Sequence, residues 1–407
     1  MATGPRLAHN AFLGEYTRRS KVAEGFPLDE YTFANVGIHG FRGLKRLRLK
    51  DLGLINILVG ENNSGKTSVL EAIAILSRAL EPDEWLWMAR RRDFGLLDET
   101  RIQSLRWCFA HAAELSDPDI LFEGACEITC DGRFPVRRLT VRYQDLEGQP
   151  RYDAAGSPRK RGLNEENGDD LTPRRGARLT HELEFDPERP IVSDQRASCS
   201  LEVWEDQPVK AGRPSAKQGL VQCETLTPYA YQINRTQVRL VSRRTFSRRE
   251  DQLLELVRIF DPEVERIEIL SLRGLRPSIY LRHERLGSAP LSAFGDGLRR
   301  VMLLANVLLS LREGSLLLLD EIEAGIHVSA LKRVYGWLER AARKRGVQVV
   351  ATTHSLEALD AIALSIAGPP EDLVTYHLEQ TDSETKARRV DGELLLRLRL
   401  ERGLDVR

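Results

Sequence analysis

The sequence predicts an α/β fold with a mixed sheet, an antiparallel β subdomain and an inserted helical or loop region. Three observations predict it. Ser315 to Leu319 and Val347 to Ala351 are continuous aliphatic runs, the pattern of strands buried on both faces. Phe122 to Thr129 and Arg138 to Tyr143 alternate polar and apolar side chains, the pattern of antiparallel strands. Leu54 to Leu80 reads as strand, glycine-rich turn and amphipathic helix in unbroken succession.

Taken in order, the first strand is expected near Tyr31 to Ile38 and a second at Leu47 to Leu49. Leu54 to Val59 is a third, and Ser68 to Leu80 a helix with Val69, Leu70, Ile73, Leu76 and Leu80 on one stripe. Trp85 to Arg92 caps that helix or leads away from it. From Arg101 to Phe260 short alternating runs dominate, ending in a helix over Arg249 to Phe260 that Asp261-Pro262 stops. Asp145 to Leu179 has almost no apolar residues and is expected to be a long loop. Leu298 to Leu311 and Val328 to Arg345 are helices, the second with Val328, Leu331, Val334, Leu338 and Ala341 inward. A strand over Leu373 to Leu378 and a helix over Gly392 to Leu400 close the chain. The expected domains are an N-terminal tail (1–28), a first lobe half (29–100), an inserted region (101–284) with its loop at 145–179, and a second lobe half (285–407). No internal repeat or sustained heptad pattern is present.

Lys plus Arg and Asp plus Glu both number 60, so net charge argues for no particular partner class. The five cysteines are scattered, odd in number and without a CxxC pair, which speaks against a disulfide framework or zinc ribbon and for a reducing compartment. Cys126 and Cys130 are expected on one strand face, as small packed or surface side chains rather than a metal pair. No apolar run is long enough to span a bilayer, and the first thirty or so residues lack a signal-peptide core. A cytoplasmic protein with no membrane partner is the expectation.

Gly60-Glu61-Asn62-Asn63-Ser64-Gly65-Lys66-Thr67-Ser68 follows the third strand and opens the helix, the context a phosphate-binding loop requires. Glycines let the backbone wrap phosphate oxygens, and the helix N-terminus aims free N–H groups at them. Lys66 is expected on the β- and γ-phosphates of ATP, and Thr67 on Mg²⁺. Asp320 and Glu321 end a buried strand: Asp320 as the second Mg²⁺ ligand, Glu321 as the base that polarises the attacking water. Ser292-Ala293-Phe294-Gly295-Asp296-Gly297 sits at a helix start and forms a second anion site, with Ser292, Gly295, Asp296 and Gly297 as its contacts. His354 ends the strand Val349 to Thr353, as the switch histidine does in the ABC-type ATPases that this arrangement resembles, which implies a contact with the γ-phosphate. Gln103 is a candidate for the glutamine that senses Mg²⁺ and water in such ATPases, with an ordinary surface glutamine as the favoured reading. The bland alternatives are a glycine turn, a solvated strand end, a helix cap and a structural histidine. The four motifs in this order outweigh them.

These residues, together with Gly40-Phe41-Arg42-Gly43-Leu44, resemble the ABC-type ATPases in the branch holding RecF, SMC and the OLD family, most closely the OLD-like AAA15 or AAA21 type. The resemblance implies an ABC-type ATPase head that dimerises head to tail around ATP and Mg²⁺. The Ser292–Gly297 loop of one copy would then meet the nucleotide held by the other. Long coiled coils of the SMC kind are absent between the motifs, and only about fifty residues follow His354, too few for the Toprim nuclease domain of OLD proteins. The chain thus resembles the ATPase half of bacterial anti-phage pairs of the PARIS or Septu type. This implies an ATP-gated sensor or scaffold that controls a separate effector protein, a nuclease or toxin. Two alternatives stand beside it: a RecF-like ATPase that binds nucleic acid directly, with Ser242 to Arg249 as its basic patch, and a scaffold that binds nucleotide without hydrolysing it.

Overall fold

The structure is a computed structural model that describes residues 31–90, 101–109, 121–148, 174–189, 195–205, 220–230, 250–271, 277–381 and 383–406. The expected tail (1–28), the Ser242–Arg249 patch and the middle of the expected loop lie outside these residues. In chain order come β1 (Asn35–His39), β2 (Leu47–Leu49), β3 (Ile55–Val59), α1 (Lys66–Ser77), α2 (Glu84–Arg90), α3 (Arg101–Arg106), β4 (Glu123–Asp131), β5 (Val136–Gly148), β6 (Arg174–Phe185), β7 (Arg196–Trp204) and β8 (Cys223–Leu226). Then follow α4 (Glu250–Val257), β9 (Val264–Leu270), β10 (Ser278–His283), β11 (Gly287–Pro290), α5 (Asp296–Ser310), β12 (Leu316–Leu319), α6 (Val328–Arg345), β13 (Gln348–Thr352), α7 (Leu356–Ala363), β14 (Leu373–Gln380), β15 (Thr385–Asp391) and α8 (Gly392–Leu396).

The chain divides into two compact units. One takes Val36–Arg48 and Glu71–Leu220; the other takes Leu49–Leu70 and Val221–Arg407, with a short piece around Tyr31. The second unit therefore resumes at Val221, earlier than the expected 285.

Within the first unit β4, β5, β6 and β7 form an antiparallel ladder, and β1 and β2 complete a six-stranded sheet in the order β2-β1-β4-β5-β6-β7. Cys126, Ile128 and Cys130 share the buried face of β4, and the Cys130 thiol donates to Val136 O at 2.8 Å. Burial pushes both thiols above their ordinary range. The loop expected over 145–179 is a correction: β5 runs on to Gly148 and β6 begins at Arg174, with Asp145 opposite Ala177 and Gly148 opposite Arg174. Backbone ladder bonds do not need apolar side chains, so the two polar strand ends pair as well as the rest.

The second unit holds a six-stranded sheet in the order β15-β14-β3-β13-β12-β8. β3 pairs parallel with β13 and β14, and β12 pairs parallel with β13 and β8; only β15 runs antiparallel. The fold is thus α/β with a mixed sheet, and β3, β12 and β13 are buried along their whole length. Helices α4, α5, α6 and α7 supply Leu256, Val301, Leu308, Val334, Leu338 and Leu359 to its core. Gly346 ends α6 in the left-handed conformation and donates to Ala342 O and Arg343 O, beside Arg343, Lys344 and Arg345 in the last turn. A small antiparallel sheet, β11-β10-β9, belongs to the same unit. Because β3, β12 and β13 run parallel, their C-terminal ends emerge together, which is where open α/β sheets bind ligands.

Candidate nucleotide site

β3 delivers the chain into Gly60 at φ +143, where an added Cβ would stand 2.5 Å from Leu378 O and 2.8 Å from Ser64 Oγ. Asn63 (φ +64) and Gly65 (φ +92) complete the turn, and α1 begins at Lys66, two residues earlier than the periodicity suggests. Asn62 and Asn63 are exposed, while Ser64, Lys66 and Ser68 are buried. Lys66 is 5% exposed, yet among the described residues its ammonium donates to neutral oxygens: Gly60 O and Glu61 O at 2.8 Å and Ser64 Oγ at 3.3 Å. Burial lowers its pKa, and the Asp320 and Glu321 carboxylates pull it partly back. A buried cation curled into its own glycine turn, with no direct ion pair among the described residues, is a ready partner for phosphate.

Asp320 leaves β12 beside this turn. The Thr67 hydroxyl donates to its Oδ1 at 3.2 Å, with Oδ2 at 3.4 Å. The Thr352 hydroxyl, at the end of β13, donates to the same Oδ1 at 2.7 Å and accepts the Glu321 N–H at 2.8 Å. Glu321 adopts φ +48, unusual for a residue with a side chain, and is exposed. His354 follows β13, is also exposed, and its N–H donates to Glu323 Oε1 at 3.0 Å. The oxygens of Thr67 and Asp320 are the hard donor set that suits Mg²⁺, and the glycine turn with Lys66 suits a polyphosphate. The site fits both groups.

Gly60, Asn62, Asn63, Ser64, Gly65, Lys66, Thr67, Ser68, Asp320, Glu321 and His354 are thus carried by one unit at the ends of three neighbouring strands. Ser292–Gly297 belongs to that unit too: a 3-10 turn (Leu291–Ala293) leads to Gly295, which caps α5, and Ser292, Gly295 and Asp296 are exposed. Asp296 pairs with Arg299 at 2.8 Å. Gln103 is exposed on α3 in the first unit. Sequence reading missed Thr352, Glu323 and Arg300: Glu323 and Arg300 bond backbone groups, and Thr352 bonds both the Asp320 carboxylate and the Glu321 N–H; an arginine on the buried side of an apolar helix was the one available signal.

A second cluster competes for attention. Asp261 and Glu263 lie 3.2 and 3.3 Å from His283 Nε2. His283 Nδ1 accepts the N–H groups of Arg285 (3.1 Å) and Leu286 (3.3 Å), so the ring proton sits on Nε2, facing the carboxylates. In that tautomer the Nε2 between the carboxylates carries a proton and the Nδ1 lone pair is taken by backbone N–H groups, and the triad fastens the β9–β10 hairpin instead.

Fold and site together define a P-loop nucleotide-binding ATPase domain. The chain belongs to the AAA_21 family, described as "AAA domain, putative AbiEii toxin, Type IV TA system", whose model matches residues 55–360, well over half of the chain. An uncharacterized protein of Methanocaldococcus jannaschii is 48% identical over 46 residues, 11% of this chain and 21% of that protein; the chain thus matches about a fifth of its curated relative. Among solved structures, an SMC head domain from Thermotoga maritima is 11% identical, with 88% of this chain and 98% of that chain covered and a TM-score of 0.41. An SMC head with an extended coiled coil, bound to the C-terminal domain of ScpA and derived from Pyrococcus furiosus, is 12% identical, with 92% and 100% covered and a TM-score of 0.42. No helix among the described residues is long and apolar enough to cross a membrane.

Proposed function

We propose that this protein is an ABC-type, OLD-like ATPase that binds and hydrolyses ATP between two of its own copies and uses the nucleotide state to control a separate effector protein in anti-phage defence. The observation that carries the enzymatic part is the Thr67–Asp320 contact at 3.2 Å between residues 253 apart in the chain, with Thr352 on the same carboxylate oxygen. A shared ligand site accounts for a glycine turn, a buried lysine and two carboxylates meeting there. Mg²⁺, held by Thr67 and Asp320, would supply charge neutralisation at the phosphates. Lys66 leaves its carbonyl partners for phosphate oxygens. Glu321 takes a proton from water as the water attacks the γ-phosphorus, and phosphate departs from ADP. His354 reports the γ-phosphate to the segment that follows it. The exposed Ser292–Gly297 turn offers the partner copy's triphosphate a helix N-terminus. Loss of the γ-phosphate removes that contact, and the dimer opens.

The family description, which names a toxin of a toxin–antitoxin system, supports work done in company with a second protein. The test is turnover: Lys66→Ala should abolish ATP binding and hydrolysis, and Glu321→Gln should keep binding while hydrolysis falls by about 10²–10⁴. Unchanged turnover in both variants overturns the assignment.

A further inference from the structure

We propose that Arg300 is a positioning residue that ties the first turns of α5 to the backbone of Glu321, so that engagement of the Ser292–Gly297 loop sets the geometry of the Glu321 carboxylate. This rests on the function proposed above.

Arg300 is 8% exposed, and its guanidinium spans two chain segments. One nitrogen, Nη1, donates to Pro228 O at 2.7 Å and Thr227 O at 3.4 Å; the other, Nη2, donates to Glu321 O at 2.5 Å and Asp320 O at 3.1 Å. A planar fork of fixed donors is suited to hold such a set, and a lysine is not. Glu321 needs holding. At φ +48 a residue with a side chain stays put only where its surroundings over-determine it. Its N–H is taken by Thr352, and its carbonyl by Arg300 and the Ala324 N–H at 3.0 Å.

Packing ties the same two elements independently. Gly297, in the first turn of α5, leaves no room for a side chain, because its Cβ would stand 2.7 Å from Gly325 O. A Cβ on Gly325 would in turn meet Arg300 Cδ at 3.7 Å. The loop that would touch the partner's nucleotide and the turn that carries the base are therefore jointed backbone to backbone, with Arg300 as the tie. A shift of α5 moves the Asp320–Glu321 peptide, and misplacement of a catalytic group by an ångström is enough to cost on the order of 10²-fold in rate.

The experiment compares Arg300→Lys and Arg300→Gln with wild type and Lys66→Ala in the full chain. It reads kcat, KM, affinity for an ATP analogue that is not hydrolysed, and melting temperature. The expected result is a kcat lowered on the order of 10²-fold in Arg300→Gln and less in Arg300→Lys, with analogue affinity and melting near wild type. In a Glu321→Gln background, Arg300→Gln should lower single-turnover hydrolysis no further, since the two act through one group. A folded Arg300→Gln with wild-type kcat, a loss additive with Glu321→Gln, or unfolding of both variants overturns the proposal. If Lys66→Ala keeps wild-type turnover, the function itself falls; if Lys66→Ala is dead and Arg300→Gln is not, only Arg300's role falls.

Discussion

Lys66 and His181 are both buried, both pulled toward their neutral forms, and differ in what relieves them. Lys66 sits among neutral oxygens with two carboxylates near enough to draw it back toward charge. Because its folded pKa lies below the ordinary 10.5, the unfolded chain binds more protons between the two values, and stability rises with pH through that window. A phosphate would reverse the sign of that cost, as expected of a lysine whose task is a ligand. His181 has no such relief. It is fully buried, its Nδ1–H donates to Ala79 O at 2.9 Å, and its Nε2 finds no hydrogen-bond partner among the described residues. Burial lowers its pKa from 6.5 to about 4. Between those values the unfolded state takes up a proton that the folded state refuses. Its contribution is fully present above pH 6.5 and is lost as pH falls toward 4, by about 3 kcal/mol in all. Melts of wild type and His181→Gln across that range should show the acid-side slope flatten in the variant; equal slopes would contradict it.

At the scale of elements, the glycine turn between β3 and α1 separates two roles of one residue type. Gly60 (φ +143) and Gly148 (φ +148) share a backbone conformation that disfavours side chains, but a Cβ on Gly148 meets nothing within 4 Å. Alanine at either position should cost about 1–3 kcal/mol of stability through backbone strain. Only Gly60→Ala, pressed against Leu378 O and Ser64 Oγ, should also weaken ATP binding, as titration with a fluorescent analogue would show; equal affinity in the two variants would contradict the turn's role. What the sequence made legible follows the same physics. β3, β12 and β13 are aliphatic without interruption, and α6 has a clean apolar stripe and a glycine stop, so their places could be read; α6 falls on Val328–Arg345 as expected. β8, with Glu224 and Thr225 in a four-residue run, and β9, with Glu265, Arg266 and Glu268, carry no such pattern and were not read. The former joins the main sheet through register with β12 alone, information that lives in the partner strand. In the site, Lys66, Thr67, Asp320, Glu321 and His354 stand out by residue type beside glycine turns. Glu323 and Arg300 act on backbone atoms, and Thr352 on one backbone N–H and one carboxylate, and residue type says little about that.

At the scale of the whole molecule, several of the site's side chains face solvent in the described residues of a single copy. Glu321, His354, Ser292, Gly295 and Asp296 are all exposed, and hydrolysis works best where water is controlled. A partner copy that covers these residues across ATP would close the site and turn nucleotide state into assembly state. In the proposed dimer, binding free energy at two equivalent sites would add, so one change at each γ-phosphate would shift the equilibrium between open and closed forms twice over.

The most direct test of ATP-gated assembly is light-scattering mass of the Glu321→Gln protein with Mg²⁺, with and without ATP, alongside the same protein carrying Ser292→Arg. The expected result is a monomer that doubles in mass only with ATP, and a Ser292→Arg form that binds ATP yet stays single. A mass indifferent to ATP, or a doubling that Ser292→Arg leaves intact, would contradict it.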